Sequence, residues 1–171
     1  MAGAASRLLI VMGVSGSGKT TIAELLADRL GYGFAEADDF HPPANVEKMK
    51  HDRPLTDADR APWLAAIHTY AVERLAAGEN LVVTCSALKR AYRDVLLDGI
   101  TGGRMIYLRG DRELIASRLA ARKGHFFPAD LLDSQFATLE EPAPDENALV
   151  VDIGPSPEEI VDEIVRALTR A

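Results

Sequence analysis

The sequence predicts an α/β domain, a five-stranded parallel sheet with helices on both faces. Three observations carry this expectation. Short apolar runs rich in Val, Ile and Leu carry few polar interruptions, as strands buried on both faces do. They alternate with longer segments whose apolar residues recur at helical spacing, and strand then helix, repeated, means parallel pairing with helical crossovers. At 171 residues and 47% hydrophobic, the chain suffices for one core and one domain, spanning 1–171, with no tandem repeat.

Taken in order, residues 7–12 form the first apolar run, followed by the glycine-rich stretch GVSGSGKTT and a helical pattern over 20–30. A strand is expected at 33–37. Residues 40–58 then break the rhythm with Pro42, Pro43 and Pro54, too long for an ordinary connection and of the kind that is usually functional or disordered. A helix follows over 59–77, a strand over 81–86, a helix over 89–97 and a strand over 104–109. Helical spacing returns at 111–123 and 129–139, the last strand is 148–153, and the last helix is 156–168. Ser156, Pro157 and Glu159 mark its start with a capping box and proline at the first helical position. Gly31, Gly78, Gly99 and Gly124 each stand just past a helical run, where a left-handed residue ends a helix.

Composition excludes several functions. The net charge is −7 with the acidic excess spread along the chain, so no basic face is available to a phosphodiester backbone, and a nucleic-acid partner is not expected. The single cysteine, Cys85, cannot form an internal disulfide and is read as a small buried strand residue rather than a nucleophile. The first apolar run is too short to span a membrane, and no signal-peptide pattern precedes it. The expected setting is soluble, cytoplasmic and reducing.

The stretch Gly13-Val14-Ser15-Gly16-Ser17-Gly18-Lys19-Thr20-Thr21 lies between a buried strand and a helix and fits the phosphate-binding loop of the P-loop NTPase fold. Its glycines allow successive backbone N–H groups to turn inward on phosphate oxygens, and the next helix adds its free N–H groups and positive dipole end. Lys19 reaches the β- and γ-phosphates and the Thr20 hydroxyl serves as a Mg²⁺ ligand in such a loop. A nucleoside triphosphate is the expected ligand.

Further blocks make the assignment specific. AEADDFHPPANVEKM and RPLTDADRAPWL follow the second strand, CSALKRAYRD follows the third, and YLRGD, RLAARKGHFF and QFATLEEP come later. In this order and at these intervals they closely resemble gluconokinase, from the phosphate loop to the last strand. Several of the blocks are not shared with the family's nearest relatives, and shikimate kinase, the nearest alternative, lacks HPPANVEKM and CSALKRAYRD. The resemblance implies phosphorylation of D-gluconate to 6-phospho-D-gluconate with ATP and Mg²⁺, and a sheet ordered as in shikimate and adenylate kinases. It further implies a substrate-binding insertion over 40–58, a lid over about 118–130 and a homodimer. A regulatory module that keeps the loop without turnover is the reading from another class; it would need neither a carboxylate after the second strand nor a cluster of lid cations.

Phosphoryl transfer needs in-line positioning, cations around the moving charge and a carboxylate at the acceptor hydroxyl. Asp38, just past the second strand, matches the aspartate that related small-molecule kinases place there. Ala37 replaces the glycine that the family usually has before this aspartate and Asp39 adds a second carboxylate, for which capping of the following helix is the competing role. Arg60 matches the arginine expected at the acid group, where a planar guanidinium binds a carboxylate bidentately; a surface pair with Asp57 or Asp59 is the alternative. His41 is either a donor to an acceptor hydroxyl or a packed turn residue, and Lys48 is expected on a solvated helix. Lys89 is a further candidate cation for the acceptor. Trp63 is expected in the core rather than as a sugar platform. Arg118, Arg122 and Lys123 end a helix; they suit its negative dipole end and also a lid that stabilises the transferring phosphate, and Arg118 and Arg122 are taken as catalytic. His125 is left without a role. The third strand ends in Thr84-Cys85-Ser86 without an aspartate, so Mg²⁺ is expected on Thr20, the phosphates and water, with Asp38 an indirect contact.

Overall fold

The computed structural model describes residues 7–51, 53–121 and 129–170. Five parallel strands form one sheet: β1 (Leu8–Met12), β2 (Gly33–Glu36), β3 (Leu81–Thr84), β4 (Gly103–Arg109) and β5 (Leu149–Asp152), in the order β2-β3-β1-β4-β5. β1 lies at the centre, with Leu8 registered on Leu81 of β3 and on Gly103 of β4. The strands fall within one or two residues of their expected limits. Their order is a property of the topology that spacing along the chain does not contain.

The sheet is covered on both faces, which is why its strands are apolar throughout. Leu9 and Val11 of β1 point to one side, packing with Ile22 and Leu26 of α1 (Lys19–Leu30), Ile115 of α5 (Arg112–Ala120) and Ile164 of α7 (Pro157–Thr169). Leu8, Ile10 and Met12 point to the other, against Trp63, Leu64 and Ile67 of α3 (Asp57–Ala76) and Leu96 of α4 (Arg90–Leu97). All five β1 residues are buried. Burying an aliphatic side chain of this size contributes about 1.5–3 kcal/mol, so the central strand anchors the phosphate loop that leaves its end.

Residues 40–58 are more regular than the proline content implies. Pro43 opens a two-turn helix, α2 (Pro43–Lys50), because proline at the first helical position needs no N–H partner. α3 then starts at Asp57, two residues earlier than the spacing indicated. Thr56 caps it by accepting from the Asp59 N–H at 3.1 Å, while the Asp59 carboxylate accepts from the Thr56 N–H at 2.8 Å. The Ser156–Glu159 capping box at the start of α7 is present as expected. Gly31, Gly78 and Gly99 all have positive φ, while Gly124 lies outside the described residues. α6 (Ala129–Thr138) follows the segment 122–128, which contains Arg122, Lys123 and His125 and is likewise outside the described residues.

Candidate active site

The chain leaves β1 at Met12 and turns into α1 through Gly13, Gly16 and Gly18, with φ of +151°, +85° and +90°. Gly16 has a second requirement beyond its backbone angle. A Cβ there would stand 2.7 Å from Cγ of Leu119, so only glycine lets the loop rest on α5. The Lys19 ammonium donates to the carbonyls of Gly13 and Val14, 3.1 Å each, and is thereby held across the loop. Thr20 and Thr21 stand exposed on the first turn of α1. Left-handed glycines, a helix N-terminus, an ammonium and two hydroxyls make a donor set that fits a polyphosphate.

A cleft of about 440 Å³ opens beside the loop. Ser15, Lys19 and Thr20 line one wall, Asp38, His41, Arg60 and Trp63 the opposite one, and the β3 end with Ser86–Leu88 the floor. Asp38 sits on the 3-10 turn Ala37–Phe40 just beyond β2, at the carboxyl edge of the sheet where open α/β folds place ligands. Asp39 is exposed on the same turn but not on the cleft, and it caps nothing. Glu36 precedes that turn as its cap, and α2 starts from Pro42 with no side-chain cap. The capping role expected of Asp39 is therefore replaced by a solvent-facing position.

Arg60 lies on the cleft wall, its guanidinium donating to the Tyr92 hydroxyl at 3.2 Å and standing 3.9 Å from Asp57. Lys89, which follows the cleft residue Leu88, has its ammonium 3.3 Å from both Asp57 carboxylate oxygens, and that pairing holds it above the usual lysine range. The Tyr92 hydroxyl donates to Asp57 at 2.5 Å. Arg60, Lys89 and Tyr92 thus gather on one carboxylate. Lys48, expected at a solvated helix position, is instead half-buried and pairs with Asp59 at the start of α3 at 2.7 Å.

Trp63 is a core residue, as expected, that also borders the cleft. Its indole N–H donates to the Ala37 carbonyl at 2.7 Å. His41 stacks on it at 4.3 Å and 12°, and burial pushes the imidazole pKa down against the opposing pull of Asp38. Burial likewise pushes the Cys85 thiol up to about 12, which leaves it un-ionised and no nucleophile.

Arg118 lies away from this cleft. Its guanidinium donates to the Ile153 carbonyl at 2.7 Å and lines a second cavity of about 430 Å³, with Gly154–Pro157 and Ile160 on the far side. The two cavities meet at Gly18 and Thr21. Arg118 thus stands on the α1–α7 side of the loop, where the two cavities meet, while Arg122 lies outside the described residues.

Residues 8–142 match the family model described as an AAA domain. The gluconokinase of Gluconobacter oxydans is 51% identical over 160 residues, covering 94% of this chain and 90% of that protein. The chain belongs to the gluconokinase family. The crystal structure of a gluconokinase from Sinorhizobium meliloti superposes with a TM-score of 0.86 at 46% identity, covering 96% of this chain and 93% of that one. Shikimate kinase from Aquifex aeolicus follows at a TM-score of 0.64 and 18% identity over 95% of this chain and 96% of that one, a likeness of fold alone.

Within this gluconokinase frame the structure adds residues that sequence reasoning passed over. Tyr92, Ser134, Gln135 and Thr138 all line the cleft. Tyr92 lies in CSALKRAYRD three residues after Lys89, and Gln135 opens QFATLEEP, so the blocks that carry the gluconokinase resemblance were the available signal. No group of three or more His, Cys, Asp and Glu side chains able to hold a metal occurs among the described residues. Thr20 and Asp38 across the cleft offer one hydroxyl and one carboxylate, a donor set that fits a hard cation keeping phosphate and water as its other ligands.

Proposed function

We propose that the chain transfers the terminal phosphoryl group of ATP to D-gluconate, forming 6-phospho-D-gluconate. The observation that carries the reading is a single cleft in which a phosphate loop faces Asp38, His41 and Arg60, in a chain of the gluconokinase family. In this reading Gly13–Thr21 cradle the phosphates, and Lys19 follows the charge that develops as the terminal group leaves. Thr20 would hold Mg²⁺, which would supply neutralisation of the phosphate charge. Asp38 orients the acceptor hydroxyl and takes its proton as the new O–P bond forms and the bond to the β-phosphate oxygen breaks. Arg60 and Lys89 attract the acceptor carboxylate, with Tyr92 fixing Arg60, and His41, stacked on Trp63, binds a polyol hydroxyl.

The nucleotide base belongs, on this reading, to the second cavity, because it joins the first at the phosphate loop and presents the Arg118 guanidinium as a planar partner. Residues 40–58 carry the acceptor wall, and 118–130 form the lid, with Arg122 at the transferring phosphate. No helix among the described residues is long and apolar enough to cross a membrane, and a cytoplasmic location fits that. A homodimer completes the proposal and is checked by light scattering.

The deciding experiment is a coupled ADP-release assay with D-gluconate, other sugar acids, shikimate, nucleoside monophosphates and no acceptor. ADP release stimulated by gluconate above all others is the expected result. Equal release with every acceptor, or none with any, overturns the assignment and leaves a nucleotide-binding module.

A further inference from the structure

α6 reaches back to the phosphate loop through one side chain. The Ser15 backbone N–H donates to Gln135 Oε1 at 2.6 Å, and Gln135 Nε2 donates to the Ser15 hydroxyl at 2.9 Å. A backbone N–H can only donate, so the first bond fixes which end of the carboxamide is oxygen. The amide is thereby locked in one orientation across 120 residues of sequence. A carboxamide has two N–H hydrogens and two oxygen lone pairs. Ser15 takes one of each, and the half-buried side chain lines the cleft with Ser15, Lys19 and Asp38. Its second N–H is therefore available at the junction between the phosphate loop and the acceptor wall.

We propose that Gln135 is a further catalytic residue of phosphoryl transfer: clamped on Ser15, its carboxamide presents its second N–H to an oxygen of the terminal phosphoryl group as it moves to the acceptor. The clamp has the attributes of a preorganised donor. It is fixed in advance by two hydrogen bonds, it is neutral, and it comes from a different element than the loop. The inference rests on the kinase reading above. It assigns to α6 a part in the chemistry and gives a reason why the Gln of QFATLEEP differs from an ordinary helix-surface glutamine.

The test measures kcat, KM for ATP and for gluconate, ADP affinity by calorimetry and Tm for Gln135→Ala, Gln135→Glu and Ser15→Ala in the full-length protein. Gln135→Glu keeps an oxygen for the Ser15 N–H but replaces the amide nitrogen by an anionic oxygen beside the phosphates. Its kcat should fall by about 100-fold or more, and that of Gln135→Ala by about 10- to 100-fold, the range for loss of one preorganised donor. Ser15→Ala keeps the backbone bond to Gln135 and should lose much less. KM for gluconate, ADP affinity and Tm should stay close to wild type, a pattern that a merely structural role does not produce. The inference is overturned if both Gln135 variants keep near-normal kcat, if only KM for gluconate rises, or if activity falls in step with Tm. Absence of gluconate-dependent ADP release in the wild type would instead overturn the kinase reading itself.

Discussion

Arg93 and Glu146 form a bidentate pair, Nε to Oε1 at 2.7 Å and Nη2 to Oε2 at 3.1 Å, with only 1% and 8% of their side chains exposed. The third arm of the guanidinium donates to the Ala87 carbonyl at 2.9 Å. Ala87 lies on the cleft floor with φ +47°, a left-handed conformation that alanine seldom adopts and that persists only when its surroundings hold it. A buried ion pair outside the cleft thus fixes a strained residue inside it.

Breaking that pair by Arg93→Ala should cost about 3–5 kcal/mol, because it strands a carboxylate in the interior. Replacing both partners by apolar residues, Arg93→Met with Glu146→Leu, should restore most of the loss. Urea unfolding of the single and double variants checks this, and equal destabilisation by both contradicts it.

Lys19→Ala should leave the fold intact, since the ammonium donates to two loop carbonyls and the side chain is not part of the buried core. The value of kcat/KM should fall by orders of magnitude through lost charge stabilisation. Activity within a few-fold of wild type would remove the loop from the chemistry.

Asp38→Asn keeps shape but cannot accept the acceptor proton, so single-turnover rates with saturating ATP and gluconate should drop sharply while ATP binding holds. Asp39→Asn should be close to wild type, because Asp39 faces solvent away from the cleft. The reverse ranking of the two variants would move the catalytic carboxylate by one residue.

Arg118→Ala should raise KM for ATP more than it lowers kcat, because its guanidinium faces the second cavity and not the acceptor wall. A fall in kcat alone, with ATP affinity unchanged, would return Arg118 to the transferring phosphate.

The hydrogen bond from Lys48 holds the Asp59 carboxyl pKa down to about 2 from the usual 3.8, with the Thr56 N–H adding to it. A depressed carboxyl pKa stabilises the folded state fully above the unfolded value and loses that contribution as pH falls through the folded one. The stabilisation from Asp59 is therefore complete above about pH 4 and lost towards pH 2. NMR titration of the carboxyl carbon should find the low value, and Lys48→Met should move it upward. No movement would assign the shift to the helix cap alone.

Much of this molecule is legible in its sequence, for identifiable reasons. β1, β3 and β4 announce themselves because burial on both faces demands unbroken apolar runs, and the phosphate loop because its glycines serve backbone angles that other residues resist. α2 does not, since Pro42 and Pro43 read as a break although the second of them opens the helix. Asp39 was indistinguishable from a helix cap until the 3-10 turn placed Glu36 in front of it. Tyr92 and Gln135 carry no local signature, because a single tyrosine or glutamine on a helix looks like packing or surface. Their partners, Asp57 and Ser15, are 35 and 120 residues distant. Arg118 needed the topology as well, for its cavity is closed by the loop after β5.

Trp63 is the chain's one tryptophan, and its indole lies between the core and the acceptor side of the cleft with His41 stacked upon it. Its emission therefore comes from a single position, within contact distance of a ring that quenches more strongly when protonated. D-Gluconate absorbs nothing at the excitation wavelength of indole. The molecule thus carries its own optical probe beside the wall proposed for the acceptor, and a change of indole emission on adding D-gluconate would report binding there without label or turnover, even in variants whose chemistry has been abolished.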